Sequence, residues 1–254
     1  MVGVIHYEYP LNETVRTLLR LEHLFARMGQ LLARDAPLDH HYTLATLFEI
    51  MDVTSRVDLK VDLLQELDRQ RQQLAGYRGN PSISESALDM AIRRIELAHQ
   101  RLNHVAGKAG QALTANDWLM SIRSRMSIPG GTCEFDLPAY FAWQQESAAH
   151  RRTDLQRWIS TLDPMAQALA VCLSLLRESG TVQTVAVRGG QFQQSLVGSR
   201  NFQLARLRIA RSHALVPEIS GNRLLLAVRM MRPDAEYRLK HAIVDFSMEL
   251  TLCA

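Results

Sequence analysis

The sequence predicts an α+β protein: an N-terminal all-helical part packed on an antiparallel, sandwich-like β part. Two observations carry this. Apolar residues recur at helical spacing through about residue 105, and after Gly180 they alternate with the period of a strand. Charge moves with them, since residues 1–120 hold 13 basic and 15 acidic side chains, net −2, and residues 181–254 hold 10 basic and 5 acidic, net +5.

The first helix is announced by Pro10 and Asn12, with Glu13 in its opening turn, and Leu18, Leu21, Leu24, Phe25, Met28, Leu31 and Leu32 line one face. A second has Leu44, Leu47, Phe48 and Met51 at i, i+3, i+4 and i+7, and a third runs through Leu59, Leu63, Leu67 and Leu74. Gly76, Gly79, Asn80 and Pro81 break the pattern. Ser82 with Glu85 has the form of a capping box opening a long amphipathic helix through Leu88, Ile92, Ile95, Leu102 and Val105.

From Met120 the period shortens. Ile122, Ser124, Met126 and Ile128 alternate with Arg123, Arg125 and Ser127, and Pro129-Gly130-Gly131 offers turn chemistry before Cys133 and Phe135, so 120–135 is expected as a β-hairpin. Two helices follow, one entered at Asp136 and Pro138, the other at Asp163-Pro164, where an N-cap acid precedes an N1 proline. The stretch Met165 to Ser179 is apolar nearly all round and is expected as a buried helix that joins the two parts and ends at Gly180. Strands are then expected at Thr181–Val187, Phe192–Leu196, Phe202–Arg211, Leu224–Met231 and Val244–Leu252. With the hairpin this makes about seven, and the helices 137–180 are inserted between the hairpin and the other strands. The implied domains are 1–118 plus 137–180, helical, and 119–136 plus 181–254, antiparallel β.

Composition narrows the function classes. A chain of 254 residues with 47% hydrophobic and 22% charged residues and a mean hydropathy of −0.11 matches an ordinary globular protein and excludes disordered or collagen-like sequence. No contiguous apolar run approaches the roughly 18 residues of a membrane span, and the first residues lack a basic-then-apolar leader, so a cytosolic protein is expected. Cys133, Cys172 and Cys253 are distant and odd in number, which points to reduced thiols. A net charge of +3 does not suit a general polyanion or membrane binder.

Motifs for chemistry are scarce. Ile128-Pro129-Gly130-Gly131 lacks the following helix of a phosphate-binding loop. His40 and His41 are adjacent and diverge, and His99 and His104 are five apart, off the spacing that one helical face needs, so no metal or cofactor is expected. Cys133 would need a histidine base that no local motif supplies, and a protein that is not an enzyme is expected.

Arginine placement stands out, with 26 arginines against 3 lysines. At about 100° per residue, Arg16, Arg20, Arg27 and Arg34 form a stripe within roughly 40° on the first helix. Arg123 with Arg125, Arg206 with Arg208, and Arg223 with Arg229 are separated by even numbers, so each pair would leave one face of a strand as a two-pronged anion site. The alternative is that these are solvated faces or pair with acids across the ladder, for which Glu249 and Asp245 are available. Trp118, Trp143 and Trp158 read as core or junction residues. A nucleic-acid binder using the basic β face is the rival class. It requires aromatics interleaved with the arginines, which Phe202 alone meets.

Specific strings add a resemblance. Tyr7-Glu8-Tyr9-Pro10-Leu11-Asn12-Glu13 with Arg16-Thr17-Leu18-Leu19-Arg20-Leu21-Glu22 is similar to the start of the ZapD family of bacterial cell-division proteins. The similarity continues through Glu66-Leu67-Asp68-Arg69-Gln70, Arg123-Ser124-Arg125-Met126-Ser127-Ile128-Pro129-Gly130-Gly131, Phe135-Asp136-Leu137-Pro138, Gln167-Ala168-Leu169 and Pro217-Glu218-Ile219-Ser220-Gly221, in order over the whole chain. The resemblance implies a cytosolic, non-enzymatic adaptor at the midcell division ring, with a helical and a β domain. It would be a homodimer that binds the acidic C-terminal tail of FtsZ and cross-links FtsZ filaments into bundles. Neither membrane nor nucleic acid is expected as a partner. The family's basic pocket maps to Arg16, Arg20, Arg56, Arg123, Arg125, Arg206 and Arg229, and Asp117 and Phe141 stand where relatives can carry a basic side chain.

Overall fold

A computed structural model describes residues 3–55, 58–108, 110–198 and 201–254. The chain divides into two compact units, 1–19 with 173–254 and 20–172. The first is mainly β and the second helical, an α+β protein as expected.

The β unit begins with strand β1 (Val4–Pro10) and includes the first turns of helix α1 (Glu13–Leu32) and the last turns of α9 (Asp163–Glu178). Its other strands are β2 (Thr181–Val187), β3 (Gln191–Ser195), β4 (Leu204–Ala210), β5 (Val216–Gly221), β6 (Leu225–Pro233), β7 (Leu239–His241) and β8 (Phe246–Cys253). One antiparallel sheet has the order β1-β4-β8-β2, the other β3-β6-β5 with β7 extending along β6. Leu207, Ile209, Met248 and Leu250 of the first sheet share a core with Leu226, Val228 and Met230 of the second. The residues between them in sequence therefore point outward, by the two-residue period of a strand. On the outer side of the first sheet, Leu204 and Cys253 pack with Val15 of α1 and Leu176 of α9.

Gly190, between β2 and β3, shows why its position is a glycine. It has φ +73°, and an added Cβ would lie 1.9 Å from the Ala242 carbonyl oxygen. Its amide donates to Val244 and its carbonyl accepts from the Met230 amide, both at 2.8 Å, so the turn stitches three segments together.

The helical unit holds the rest of α1 and α9, with α2 (Pro37–Ser55), α3 (Leu59–Ala75), α4 (Glu85–His104), the single turn α5 (Gln111–Thr114), α6 (Asp117–Met126), α7 (Pro138–Gln145) and α8 (Ala148–Ile159). α1 starts as its cap predicts, with Asn12 Oδ1 accepting from the Val15 amide at 2.8 Å. α2 buries Leu44, Leu47, Ile50 and also Thr43 and Thr54, so it is a core helix. α3 and α4 pack against each other, and the pair buries Leu63, Leu67, Leu88, Ile92 and Ile95. Trp118, Tyr140, Trp143 and Trp158 gather into one cluster with ring centroids 5.3 to 6.2 Å apart, which agrees with a core role for the tryptophans.

Several expectations are corrected. The hairpin at 120–135 is helix α6 followed by turns. Asn116 caps it by accepting from the Leu119 amide at 3.0 Å, Asp117 sits in the first turn, and Leu119 with Ile122 supplies a buried i, i+3 pair. The alternation of polar and apolar residues there was coincidental, and capping with the dipole-matched Arg123 and Arg125 decided the outcome. The cap of α4 is Ser84, which accepts from Ala87, whereas Glu85 accepts from the Gly79 amide at 2.7 Å in the preceding loop. Helix α8 had no expected counterpart, nor did strands β1, β5 and β7. α8, a 3-10 turn at Ser160–Leu162 and α9 run on without a break, so a window of 18 residues within 148–178 reaches a mean hydropathy of 1.5 and meets the length and composition of a membrane span. Its Leu155, Trp158, Met165, Leu169 and Cys172 are buried inside the protein.

Candidate interaction surface

The outer face of the β1-β4-β8-β2 sheet collects charge because its register aligns polar residues. Glu8 lies opposite Arg206, and Arg208 opposite Glu249. Glu8 accepts from Arg177 of α9 through both oxygens, at 2.9 and 2.7 Å, and from Arg206 Nε at 2.9 Å. Burial alone would raise the Glu8 pKa, but Arg177 and then Arg206 outweigh it and hold the carboxyl below its ordinary value. Arg208 pairs with Glu249 at 2.6 Å. The expected two-pronged site of Arg206 and Arg208 is thus divided between two carboxylates, the cross-ladder alternative. Phe202 packs against the sandwich core and does not interleave with these arginines.

Arg16 sits at the edge of the same unit. Its guanidinium lies 5.7 Å from the Tyr9 ring centroid and 3.1 Å from Glu13, and the Tyr9 and Glu13 side chains raise its pKa further. Arg229 projects from the outer face of the other sheet, between the core residues Val228 and Met230, beside Glu218 at 3.6 Å. Arg206 and Arg229 therefore leave opposite faces of the sandwich. Arg223 falls in the turn before β6, so it does not pair with Arg229 on one strand face.

In the helical unit, Arg20 is exposed and has no carboxylate partner among the described residues. Arg56 lies outside the described residues. Arg123 pairs with Asp52 and lines a cleft of about 550 Å³ with Phe48, Met120 and Met126. It also borders a second cleft of about 740 Å³, beside Met51, Val61, Lys60 and Lys108. Arg125 is 3.9 Å from Asp136. Because α6 is a helix, Arg123 and Arg125 are separated by about 200° and do not share a face as two strand residues would. Asp117 and Phe141 are both exposed.

Among the described residues no group of three or more His, Cys, Asp or Glu side chains could hold a metal ion. The Cys133 thiol faces Asp136 Oδ2 at 3.5 Å. Burial pushes the Cys172 thiol up to about 12. The charges beside Cys172, Glu66 and Arg69, act in opposite directions, so burial decides and keeps this thiol from acting as an activated nucleophile.

The surface residues that sequence reasoning missed are Glu8 and Arg177. Their pairing joins positions 169 residues apart, and the strand that aims Glu8 was not recognised.

Comparison with known proteins adds three findings. The family model ZapD, described as a cell division protein, matches residues 19–229. The cell division protein ZapD of Azoarcus sp. strain BH72 is 50% identical over 250 residues, covering 98% of this chain and 99% of its own length. Those of Ralstonia pickettii strain 12J and Aromatoleum aromaticum strain EbN1 are 50% and 49% identical over 251 residues, covering 98% and 99% of this chain and 99% and 98% of theirs.

Proposed function

Because this chain belongs to the ZapD family of cell division proteins, we propose that it is a non-enzymatic adaptor that binds the acidic C-terminal tail of FtsZ and, as a homodimer, cross-links FtsZ filaments. In this reading it works in the cytoplasm at the midcell ring. The observation that carries it is the match of about half of all residues along nearly the whole chain to cell division proteins. The arginine chemistry supports the class of ligand. Arg20 carries no carboxylate partner among the described residues, and Arg16, one turn earlier, shares its charge with a Glu13 side chain that is 85% exposed. Exposed pairs of this kind contribute at most about 1 kcal/mol, so a peptide carboxylate can replace them.

The tail docks its carboxylates on Arg16 and Arg20 of α1, with Arg206 as a further contact; Arg229, on the opposite face of the sandwich, and Arg123 and Arg125, which diverge on α6, are not part of that contact. Ordering a flexible tail costs free energy, so one site is weak, and two sites on a dimer raise apparent affinity by roughly 10² to 10⁴ on a filament. Two-fold symmetry supplies two equivalent sites and so one filament for each. Co-sedimentation with FtsZ polymers, with and without the acidic tail, is the test. Loss of pelleting on tail removal is expected, and tail-independent pelleting at equal affinity would overturn the reading.

A further inference from the structure

Most arginines of the helical unit stand beside an acid. Nine of the described ones, from Arg27 to Arg157, have a carboxylate no more than 3.9 Å away. Helix α4 departs from this. Arg93 and Arg94 are exposed without a carboxylate partner among the described residues, and Arg101 donates to the neutral Gln167 amide oxygen at 2.7 Å. Of the acids nearest them on α4, Asp89 is held by Arg78 at 2.8 Å, and the exposed Glu96 is turned about 160° from Arg94 and about 140° from Arg101, off the stripe.

The same stripe exposes apolar surface. Met90 is 62% and Leu97 50% exposed, against the buried Leu88, Ile92, Ile95 and Leu102 on the opposite side of the helix. At about 100° per residue, Met90, Arg94, Leu97 and Arg101 fall within roughly 60° of one another. Their spacing of four, three and four is that of a coiled-coil seam, with the two apolar residues in one heptad position and the two arginines in the other. Arg93 flanks the seam.

We propose that this stripe is a docking seam for an amphipathic helix of a partner protein, with leucine-type residues along its contact line and glutamate or aspartate beside them. A straight seam of heptad spacing fits a rod. Met90 and Leu97 are two turns apart, as successive knobs of one helix would require. Three cations without an acid of their own call for an anionic partner, and arginine forks suit carboxylates while their stems cover the apolar contact. An anionic membrane shares the charge preference. A helix lying on lipid needs a broad unbroken apolar face, however, and here arginines occupy the centre of the stripe.

The test uses the full chain and a fluorescein-labelled synthetic peptide of three heptads, with leucine at a and d and glutamate at e and g, whose like charges keep it from pairing with itself. Fluorescence anisotropy should show saturable binding, and circular dichroism a gain in peptide helicity. Binding should be at least tenfold weaker for Arg93→Glu with Arg94→Glu and for Leu97→Ser, and unchanged for Arg20→Glu. A peptide with lysine at e and g should not bind. Melting curves check that each variant is folded; should the double charge reversal misfold, Arg93→Gln with Arg94→Gln carries the same expected loss. Absence of saturable binding overturns the proposal. So does binding that survives the α4 substitutions, binding lost equally in Arg20→Glu, or adsorption to phosphatidylglycerol vesicles without binding of the peptide.

Discussion

The Arg151 guanidinium donates from Nε to Nδ1 of His40 at 3.0 Å, with both side chains buried. Arg151 also donates to the backbone carbonyls of Gln144, Glu146 and Asp35, so a buried cation is satisfied by carbonyl dipoles and a neutral imidazole without a carboxylate. Since Nδ1 accepts, the His40 proton must reside on Nε2, which makes no hydrogen bond of ordinary geometry among the described residues.

This arrangement makes stability depend on pH in a definite direction. Burial, and then the neighbouring Arg151 charge, hold the His40 pKa below its ordinary 6.5, and burial does the same for His41, whose Nδ1 meets the Tyr140 hydroxyl at 2.8 Å. The unfolded chain therefore binds more protons, so stability is fully present above about pH 6.5 and falls as the pH drops toward 5, by up to about 1.4 kcal/mol per pH unit for each proton. Urea unfolding at pH 7.5, 6.5 and 5.5 should show this, with a shallower decline in His40→Gln. An identical decline in the variant would show that His40 is not the titrating group.

Arg151→Met should cost about 3 to 5 kcal/mol, because three backbone carbonyls and His40 lose their donor together. Arg151→Lys should recover a minority of that loss, since one ammonium cannot reach all four acceptors in the planar geometry of a guanidinium. Chemical denaturation monitored by tryptophan fluorescence reads both, as the aromatic cluster lies in the same unit.

Glu8→Gln should do two things at once. It leaves the partly buried Arg177 and Arg206 without their shared charge, lowering stability by about 1 to 2 kcal/mol. It also frees positive charge on the outer sheet face, so co-sedimentation with FtsZ should persist to higher salt than for the parent. Unchanged salt tolerance would separate Arg206 from the tail contact.

Arg20→Glu should leave the unfolding free energy nearly unchanged, within about 0.5 kcal/mol, because the side chain is exposed and has no carboxylate partner among the described residues. Binding to FtsZ polymers should fall at least tenfold. In the parent protein, raising salt from 50 to 300 mM should weaken binding markedly, as screening of exposed charge requires. Full binding by Arg20→Glu would remove α1 from the proposed contact.

The helices were legible from a cap with apolar spacing at Asn12 and from apolar spacing alone along Leu59, Leu63 and Leu67, where Asp58 makes no capping hydrogen bond. Long alternating strands were legible too, including β2, β4 and β8. The segment at 120–128 misled because its alternation satisfies period 2 while Leu119 and Ile122 satisfy a helix, and the short apolar sample could not separate them. β7, three residues long, is too short to show any period. Of the arginine pairings, only the cross-ladder acid Glu249, which meets Arg208, was legible. Glu8 meets Arg206 across 198 residues, and the two-sheet packing that sends Arg206 and Arg229 to opposite faces is set by non-local contacts.

The pairing of β1 with β4 fixes an order of events during synthesis. Residues 4–10 are made some 200 residues before their hydrogen-bonding partners at 204–210. At about 5 to 20 residues per second the N-terminal strand waits roughly 10 to 40 s with its edge uncovered. The whole of 20–172 emerges in that interval, so the helical unit can fold while the β unit still lacks most of its strands. Closure of the sandwich is a late, high-contact-order step. A nascent chain stalled before residue 204 would carry a formed helical unit and an unsatisfied strand, the species on which holding chaperones act.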